Sequence, residues 1–313
     1  SEAVSAGIQI QGADLRYAEV GFGESGHRLV RIERSRLDFD AAHELLHRDA
    51  PRRTDRIGYA LKEMMTGTEA ESLRLTVHPP DAYGFFTPIE ANLPVRERKL
   101  SLLHHAALVT GARSPRDFHL STKTVRTAQD SDGDSLMWVH VLAVPGSIQD
   151  RVQAVVDRLP VGSFSWMLST EAASQVTARI ELTGVTQEQA LRPFTLAVGS
   201  YESFTEFTLS RDRQWYHSHY APRADTVSDR AYYAVGLLNR LDVPLHAVGR
   251  LFIYGRRVDA EAYEPFESIF GIQPEPLDPF RAVDPLARVS LAISSMYLIG
   301  TPNSRPAAWT NRS

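Results

Sequence analysis

The chain of 313 residues contains no cysteine, and acidic residues slightly outnumber basic ones. The lack of cysteine excludes disulfides, thiolate metal sites and cysteine nucleophiles, and it fits a reducing compartment. A net charge of −4 and a pI near 6.3 give no basic excess that would indicate nucleic acid as a partner. The sequence also lacks G-x-S-x-G, Walker A and a helix-opening G-x-G-x-x-G.

Signals for export and for membrane insertion are missing as well. Residues 1–7 have neither a basic start nor an apolar stretch, so they do not resemble a signal peptide. The most apolar late segment, 286–299, is interrupted by Arg288 and by three serines. This segment is too short and too polar to span a bilayer, so we expect a buried helix at 285–299. The sequence therefore predicts a soluble cytoplasmic protein.

The length and the periodicity of apolar residues predict an α/β protein of about two domains. Period-two alternation predicts strands at 27–34, 73–78, 83–90, 118–126, 136–144, 164–168, 194–198, 201–209, 214–220 and 250–254. Helical periodicity predicts helices at 38–47, 55–65, 94–109, 147–159, 171–180, 227–241 and 260–270. Ser147 and Thr170 are the expected N-caps of two of them. We place the domain boundary at 188/189, with an inserted α+β subdomain at about 80–165.

Two segments, 7–20 and 194–207, read like copies of one another. Each runs from a strand through a glycine-containing turn into a second strand with alternating apolar residues. Gly12 and Gly199 stand at the predicted tips, where a tight turn needs a residue that tolerates positive φ. The repeat indicates two related halves that face each other across a cleft.

Residues 43–47 read His-Glu-Leu-Leu-His and match the H-E-x-x-H pattern. On a helix this spacing puts His43 and His47 on one face as zinc ligands, with Glu44 as the general base. The longer metalloprotease form would place a glycine and a third histidine downstream, but Ala50 and Arg53 stand there. The arginine-rich residues that follow favour an exposed helix end. We therefore expect no metal here and retain a zinc metallohydrolase only as an alternative.

Four stretches follow one another in a recognisable order. They are the hairpin 7–20, the run 86–94 with the helix after it, the run 139–146 with its helix, and a tail comprising 251–255, 270–280 and 289–296. In their order and their residues, these stretches resemble the type IV pilus assembly protein family PilM. The resemblance implies an actin-like, FtsA-like ATPase fold with duplicated ribonuclease H-like halves and an inserted subdomain in the first half. It also implies a place in the cytoplasm under the complex that aligns the pilus.

The sequence departs from this family at the nucleotide site. Where the family's second hairpin carries an aspartate that contacts the metal–phosphate group, the chain has Ala197, and its first hairpin has the amides Gln9 and Gln11. The family's late Gly-Gly-Gly loop is replaced by residues 254–257, Tyr-Gly-Arg-Arg. Because Mg²⁺ prefers carboxylate oxygens, we expect no cofactor, and Mg-ATP is disfavoured. The predicted vestigial nucleotide cleft consists of Gln11, Gly12, Gly199, Ser200, Gly255 and Arg256.

The resemblance, taken with these departures, implies a non-catalytic scaffold of a type IV pilus or type II secretion-like inner-membrane assembly complex. Its partner would be the cytoplasmic tail of an inner-membrane protein, which would hold it at the membrane, and a homo-oligomer is compatible with the sequence. Strand addition suits such a tail. The predicted partner groove is lined by Leu75, Val77, Phe85, Thr87, Ile89 and Leu102. A nucleotide-binding PilM-like ATPase is the first alternative, ahead of the zinc enzyme.

Overall fold

The computed structural model describes residues 3–23, 26–111, 117–129, 132–180, 185–256 and 261–279. The predicted helix at 285–299 and residue Arg257 lie outside these ranges. The chain forms two compact units that divide between Ser169 and Thr170. The predicted domain boundary at 188/189 stays a prediction; it assigns the helix after residue 170 to the first half.

The first unit contains eight strands and four helices within the described ranges. The strands are β1 (Ala3–Gln11), β2 (Asp14–Gly23), β3 (Gly26–Arg36), β4 (Ser72–Val77), β5 (Tyr83–Glu90), β6 (Phe118–Gln129), β7 (Ser135–Pro145) and β8 (Ser163–Leu168). The helices are α1 (Ala41–Leu46), α2 (Thr54–Met64), α3 (Val95–Thr110) and α4 (Gly146–Val156).

Five of these strands form the main sheet of the first unit, in the order β3-β2-β1-β4-β8. β1 pairs antiparallel with β2 and parallel with β4, which in turn pairs parallel with β8. Along β1, the fully buried Ile8 and Ile10 alternate with Gln9, as the period of a strand requires. α1 packs on β1, and α4 packs on both α1 and α2.

The remaining three strands form the inserted subdomain, in the order β5-β7-β6. Both pairings are antiparallel, and α3 packs on one face of this sheet. Ile89, Leu102, Val139 and Val141 form its small core. α3 ends at Gly111, whose φ of 67° closes the helix as a left-handed cap. The sequence predicted this strand–helix–hairpin insertion.

The second unit repeats the plan of the first sheet. Its described elements are α5 (Ser169–Thr177), α6 (Gln187–Ala190), β9 (Phe194–Ser200), β10 (Phe204–Arg211), β11 (Gln214–Pro222), α7 (Val227–Arg240), β12 (Val248–Gly255), α8 (Glu264–Phe270) and β13 (Glu275–Pro276). The strand order is β11-β10-β9-β12-β13, with an antiparallel meander followed by parallel strands as in the first unit. This equivalence confirms the predicted duplication.

The two faces of the second sheet differ in chemistry. Leu196, Val198 and Phe207 are fully buried on one face, in a core to which α7 and α8 contribute. The other face carries hydroxyl groups that bond to α5, including a contact of 2.7 Å between the Oγ atoms of Ser174 and Ser210. These bonds explain why α5 belongs to the second unit.

Two predicted helix starts were wrong, and one predicted helix is shorter than expected. α4 begins after Pro145, so Ser147 lies inside the helix and does not cap it. Thr170 lies inside α5, where its hydroxyl bonds to Ser218 Oγ at 3.1 Å. The helix predicted at 38–47 is α1, which begins after the N-cap Asp40 because that side chain accepts a bond from the His43 amide. Within the described ranges, no helix is both long and apolar enough to cross a membrane.

The capping box at the start of α7 can be tested by its contribution to stability. Thr226 Oγ1 accepts the Asp229 amide at 3.0 Å, and the Asp229 carboxylate accepts the Thr226 amide at 3.1 Å. Thr226→Ala should lower the free energy of unfolding by about 1 kcal/mol. The Asp229 amide would lose its acceptor, and the Asp229 carboxylate, which accepts the Thr226 amide, would lose the Thr226 hydroxyl that also bonds to it. Urea unfolding followed by circular dichroism measures this loss. Thr226→Ser is the matched control and should stay near wild type, and an equal loss in both variants would contradict the capping role.

Candidate functional site

The first hairpin has its turn at the predicted glycine. Gly12 sits at the tip between β1 and β2 with a φ of 55°, and a Cβ placed there would meet no atom within 4 Å. Its conformation is therefore what selects glycine, as the sequence predicted. Gln11, the residue before it, is the partly buried end of β1.

An amide and an imidazole occupy the interior behind this turn. Gln9 is fully buried, and its Nε2 lies 2.5 Å from Nε2 of His78, which is also fully buried. Gln9 pairs with Thr76 across β1 and β4. Within the described part of the chain, Gln9 Oε1 and Thr76 Oγ1 have no hydrogen-bond partner. The position at which the resemblance leads us to expect a metal-holding carboxylate is thus occupied by the Gln9 amide.

The second hairpin differs from its prediction, because Gly199 does not form the turn. It lies inside β9, opposite Glu206 of β10 and Tyr254 of β12, and the turn follows at residues 201–203. A Cβ on Gly199 would stand 2.5 Å from the Tyr254 ring and 2.8 Å from Glu206 Cγ. The prediction of a turn glycine was wrong here: the neighbouring ring, and not the backbone angle, requires glycine.

Tyr254 and Glu206 form a buried polar pair above Gly199. The Tyr254 hydroxyl donates to Glu206 Oε1 at 2.8 Å, and neither side chain is more than 1% exposed. Burial, together with the neighbouring carboxylate, raises the pKa of Tyr254 well above its usual value, so the phenol keeps its proton. The ring of Tyr201 contacts that of Tyr254 edge-on, at 6.5 Å between centroids.

The ends of β9 and β12 are bonded to each other. The Arg256 amide donates to the Ser200 carbonyl oxygen at 2.7 Å, and Ser200 Oγ lies 2.5 Å from the Tyr263 hydroxyl. Gly255 has a φ of 100°, and a Cβ there would lie 2.2 Å from the Ser200 carbonyl oxygen. The Arg256 guanidinium forms an ion pair with Glu202 at 2.6 Å. The predicted cleft residues Ser200, Gly255 and Arg256 thus lie together and contact one another.

The predicted groove residues lie in the main sheet and in the inserted subdomain. Leu75 and Val77 belong to β4 and are buried in the main sheet, whereas Ile89 and Leu102 are buried in the core of the insertion. The two remaining groove residues lie on β5. Phe85 is only partly buried, and Thr87 bonds through its Oγ1 to Nδ1 of His105 at 2.8 Å. Five of the six residues, all except Phe85, are therefore covered by other groups and do not line an open groove.

The H-E-x-x-H residues have structural contacts. Glu44 is fully buried and accepts bonds from the Arg52 amide at 3.0 Å and from the guanidinium of Arg53 at 2.5 Å. These bonds lower the pKa of Glu44 to about 2. The His43 and His47 rings stack at 6.0 Å, and no described group of three His, Asp or Glu side chains is arranged to hold a metal. A carboxylate held this way is poorly placed to act as a general base.

Sequence reasoning missed Glu206, Tyr263 and His78, which shape the interior of the two hairpins. Glu206 is the one charged residue in a strand stretch, 204–210, in which every side chain is buried. A carboxylate inside such a stretch needs a buried partner, and the tyrosine two strands away supplies it. This isolated acidic residue in a buried strand was the signal in the sequence from which Glu206 could have been found.

A double-mutant cycle tests the contact between Gly199 and Tyr254. Gly199→Ala should cost about 3 kcal/mol of unfolding free energy, since the new methyl overlaps the Tyr254 ring. Gly12→Asn should cost little, because asparagine tolerates positive φ. In a Tyr254→Ala background the Gly199→Ala penalty should shrink markedly. An undiminished penalty in that background would show that the ring is not what excludes a side chain.

A second prediction concerns acid stability. Because the pKa of Glu44 is lowered from 4.5 to about 2 on folding, the ionised carboxylate stabilises the fold above pH 4.5. That contribution is lost as the pH falls towards 2. Glu44→Gln should lower the thermal midpoint at pH 7, and the difference from wild type should narrow across this window. A constant difference from pH 7 to pH 2 would contradict the assignment.

Comparison with known proteins identifies the fold. No protein-family model and no curated protein matches the sequence. A structure of the PilM–PilN type IV pilus biogenesis complex aligns with a TM-score of 0.63 at 13% identity, over 95% of this chain and 99% of the other. A Bacteroides thetaiotaomicron protein of actin-like ATPase fold and unknown function aligns with a TM-score of 0.52 at 8% identity, over 95% of each chain. The chain therefore has a PilM-like, actin-like fold with two duplicated halves.

Proposed function

We propose that the chain is a non-catalytic scaffold of an inner-membrane pilus or secretion assembly complex. In this proposal it binds an extended cytoplasmic tail of a membrane partner and performs no nucleotide hydrolysis. The observation that carries the proposal is the buried Tyr254–Glu206 pair over Gly199, in a fold otherwise similar to that of the PilM–PilN structure. Each half supports it separately.

In the first half, the residues do not fit a metal–phosphate group. Mg²⁺ takes hard oxygen ligands and is usually held by one or two carboxylates. Gln9 stands in the place of the expected acid, and its amide nitrogen is directed at His78. An amide oxygen contributes no negative charge to balance Mg²⁺, so this hairpin supplies a turn without the electrostatics of a metal site.

In the second half, the predicted cleft residues are bonded to one another. Ala197, at the position of the expected aspartate, is buried between Thr208 and Phe252. The bond from the Arg256 amide to Ser200 uses a backbone donor that could otherwise face an anion. The pairing of the Arg256 side chain with Glu202 also weakens the case for polyphosphate binding through this arginine. A nucleotide-binding ATPase is therefore the less supported alternative.

The partner segment is best accommodated by β5, an edge strand of the inserted sheet. Neighbouring residues of an antiparallel strand point their backbone groups in opposite directions. Pro88 has no N–H and cannot donate to β7, so the backbone groups at position 88 point away from β7. The backbone groups of Phe86, two residues earlier, point the same way. An extended peptide could pair along this edge, with Tyr83, which is 47% exposed, supplying an aromatic contact. This refines the predicted groove, whose buried members would act only as support.

A zinc hydrolase remains the second alternative, and the geometry disfavours it. Glu44 is bonded to Arg48 and Arg53, and His47 is bonded to Asp81. Both the base and one ligand would have to leave existing ion pairs before metal chemistry could begin. About one zinc bound per chain in the purified protein, and its loss in His47→Ala, would support the zinc-hydrolase hypothesis.

Peptide binding tests the proposed function. The probes are synthetic peptides of the cytoplasmic tails of inner-membrane assembly proteins encoded beside this gene. We expect one of them to bind, and Tyr83→Ala to weaken it about tenfold through loss of an aromatic anchor. Tyr59→Ala is the matched control, because Tyr59 is an exposed tyrosine on α2, 66% exposed, away from β5. Failure of every peptide, or equal losses in both variants, would contradict the proposal.

A further inference from the structure

β3 is the outermost strand of the main sheet in the first unit. It runs over Gly26–Arg36, and the strand order β3-β2-β1-β4-β8 places β2 on one side of it. In the part of the chain that the structure describes, no strand pairs with its other side. A strand edge of this length presents backbone N–H and C=O groups that a further strand can bind.

Other strands at the sheet edges are interrupted or short. The pairing of β6 with β7 and that of β11 with β10 each contain a register shift, and β13 has only two residues. Bulges and short strands of this kind protect an edge against further pairing. β3 has eleven residues and contains no proline, so neither shortness nor proline protects it.

The charged side chains of β3 alternate between the two faces of the sheet. Arg31 bonds to the buried Glu19 of β2, at 3.0 Å between Nη2 and Oε1. Arg34 and Arg36 stand three and five residues further along, and both approach Asp14 instead. This alternation is the period-two pattern of a strand, with Arg31 on one face and the two later arginines on the other.

Glu33 shares the face of Arg31, because it lies two residues further along the strand. It is exposed, and within the described ranges its carboxylate has no ion pair and no hydrogen bond. Glu19 and the Thr66 carbonyl oxygen, which Nη1 meets at 2.6 Å, hold the Arg31 guanidinium in place. The Arg31 side chain nevertheless stays 25% exposed. One face of the edge therefore presents a positioned cation and, beside it, an unpaired anion.

This order of charges is complementary to itself. Two copies of one edge strand pair antiparallel about a twofold axis perpendicular to the sheet. With the axis at Ile32, Arg31 of each copy lies opposite Glu33 of the other, which gives two favourable cross-strand pairs. An axis at Arg31, Glu33 or Arg34 would instead set a charged residue against its own copy, which is unfavourable.

We propose that β3 is the interface of a homodimer, in which two main sheets join through an antiparallel β3–β3 pair centred on Ile32. This interface is independent of the proposed function. On the other face, the same register sets Val30, which is 38% exposed, opposite Arg34 of the second copy. The aliphatic part of an arginine side chain can cover such an apolar residue. The self-complementary charges favour a second copy of this chain as the occupant of the edge.

Cysteine cross-linking tests the register directly, because the chain contains no cysteine. Opposite residues of an antiparallel pair have Cα atoms about 4.5 or 5.5 Å apart, within the roughly 4.4–6.8 Å that a disulfide spans. Under mild oxidation, Ile32→Cys should therefore form a covalent dimer at least about tenfold faster than Leu191→Cys. Leu191 is the control, because it is 81% exposed and far from β3 in sequence. Cross-linking of Ile32→Cys no faster than this control would overturn the proposal.

A mixture of two further variants measures the register even if Ile32→Cys is less stable than wild type. Val30→Cys and Arg34→Cys should each cross-link slowly alone, because in the proposed pair neither cysteine faces its own copy. Mixed, the two chains should rapidly form the mixed disulfide, which intact-mass spectrometry identifies. A mixed disulfide that forms no faster than either homodimer would contradict the register centred on Ile32.

Association of the chain without added cysteine is measured by sedimentation equilibrium. Wild type should form a reversible dimer, and Glu33→Arg should raise its dissociation constant about tenfold, because Arg31 then faces an arginine. Glu63→Arg makes the same change of charge at an exposed position of α2 and should leave the dissociation constant unchanged. A wild-type chain that stays monomeric at every concentration, or equal losses in the two variants, would rule out the interface.

Discussion

The contact between the Tyr254 ring and the bare backbone of Gly199 constrains the whole end of the second sheet. The ring occupies the volume that a side chain at position 199 would need, and its hydroxyl reaches Glu206 on the next strand but one. Three parallel and antiparallel strands are thus tied together by one side chain. Ser200 and Gly255 can then approach closely enough for the Arg256 amide to bond to the Ser200 carbonyl oxygen.

This arrangement would be costly to undo by single changes. Removing either Tyr254 or Glu206 would delete the buried hydrogen bond between them, and a buried hydrogen bond to a charged group contributes about 1.5–3 kcal/mol. An aspartate in place of Ala197 would put a charged group between Thr208 and Phe252. This end of the second sheet is therefore a packed interior in which Gly199, Tyr254 and Glu206 depend on one another.

Much of the fold could be predicted because it follows from local periodicity. β5 runs over Tyr83–Glu90 as expected, and α7 departs from its predicted end by one residue. The repeated hairpins led correctly to two halves with the same strand order. The errors arose where tertiary packing decides the outcome. Gly199 was read as a turn residue, although the ring of a residue 55 positions later is what selects glycine there.

Side-chain roles were harder to predict than elements. His43, Glu44 and His47 match a metal motif in sequence, yet Glu44 organises the arginine-rich loop that follows α1, and His47 bonds to Asp81. The motif fixes which residues share a helix face but not which groups meet them in space. In the same way, Leu75 and Val77 had the right alternation for a strand, but the alternation does not show that β4 lies inside the sheet, between β1 and β8.

The two hairpins thus belong to an actin-like fold, and their interiors contain the Gln9 amide in the first half and the Tyr254–Glu206 pair in the second. This central claim is tested most directly by isothermal titration calorimetry of the full chain with ATP and Mg²⁺. The account predicts no measurable binding at nucleotide concentrations up to about 1 mM, which corresponds to about −4 kcal/mol. Micromolar binding of Mg-ATP that is lost in Gln9→Ala would contradict it.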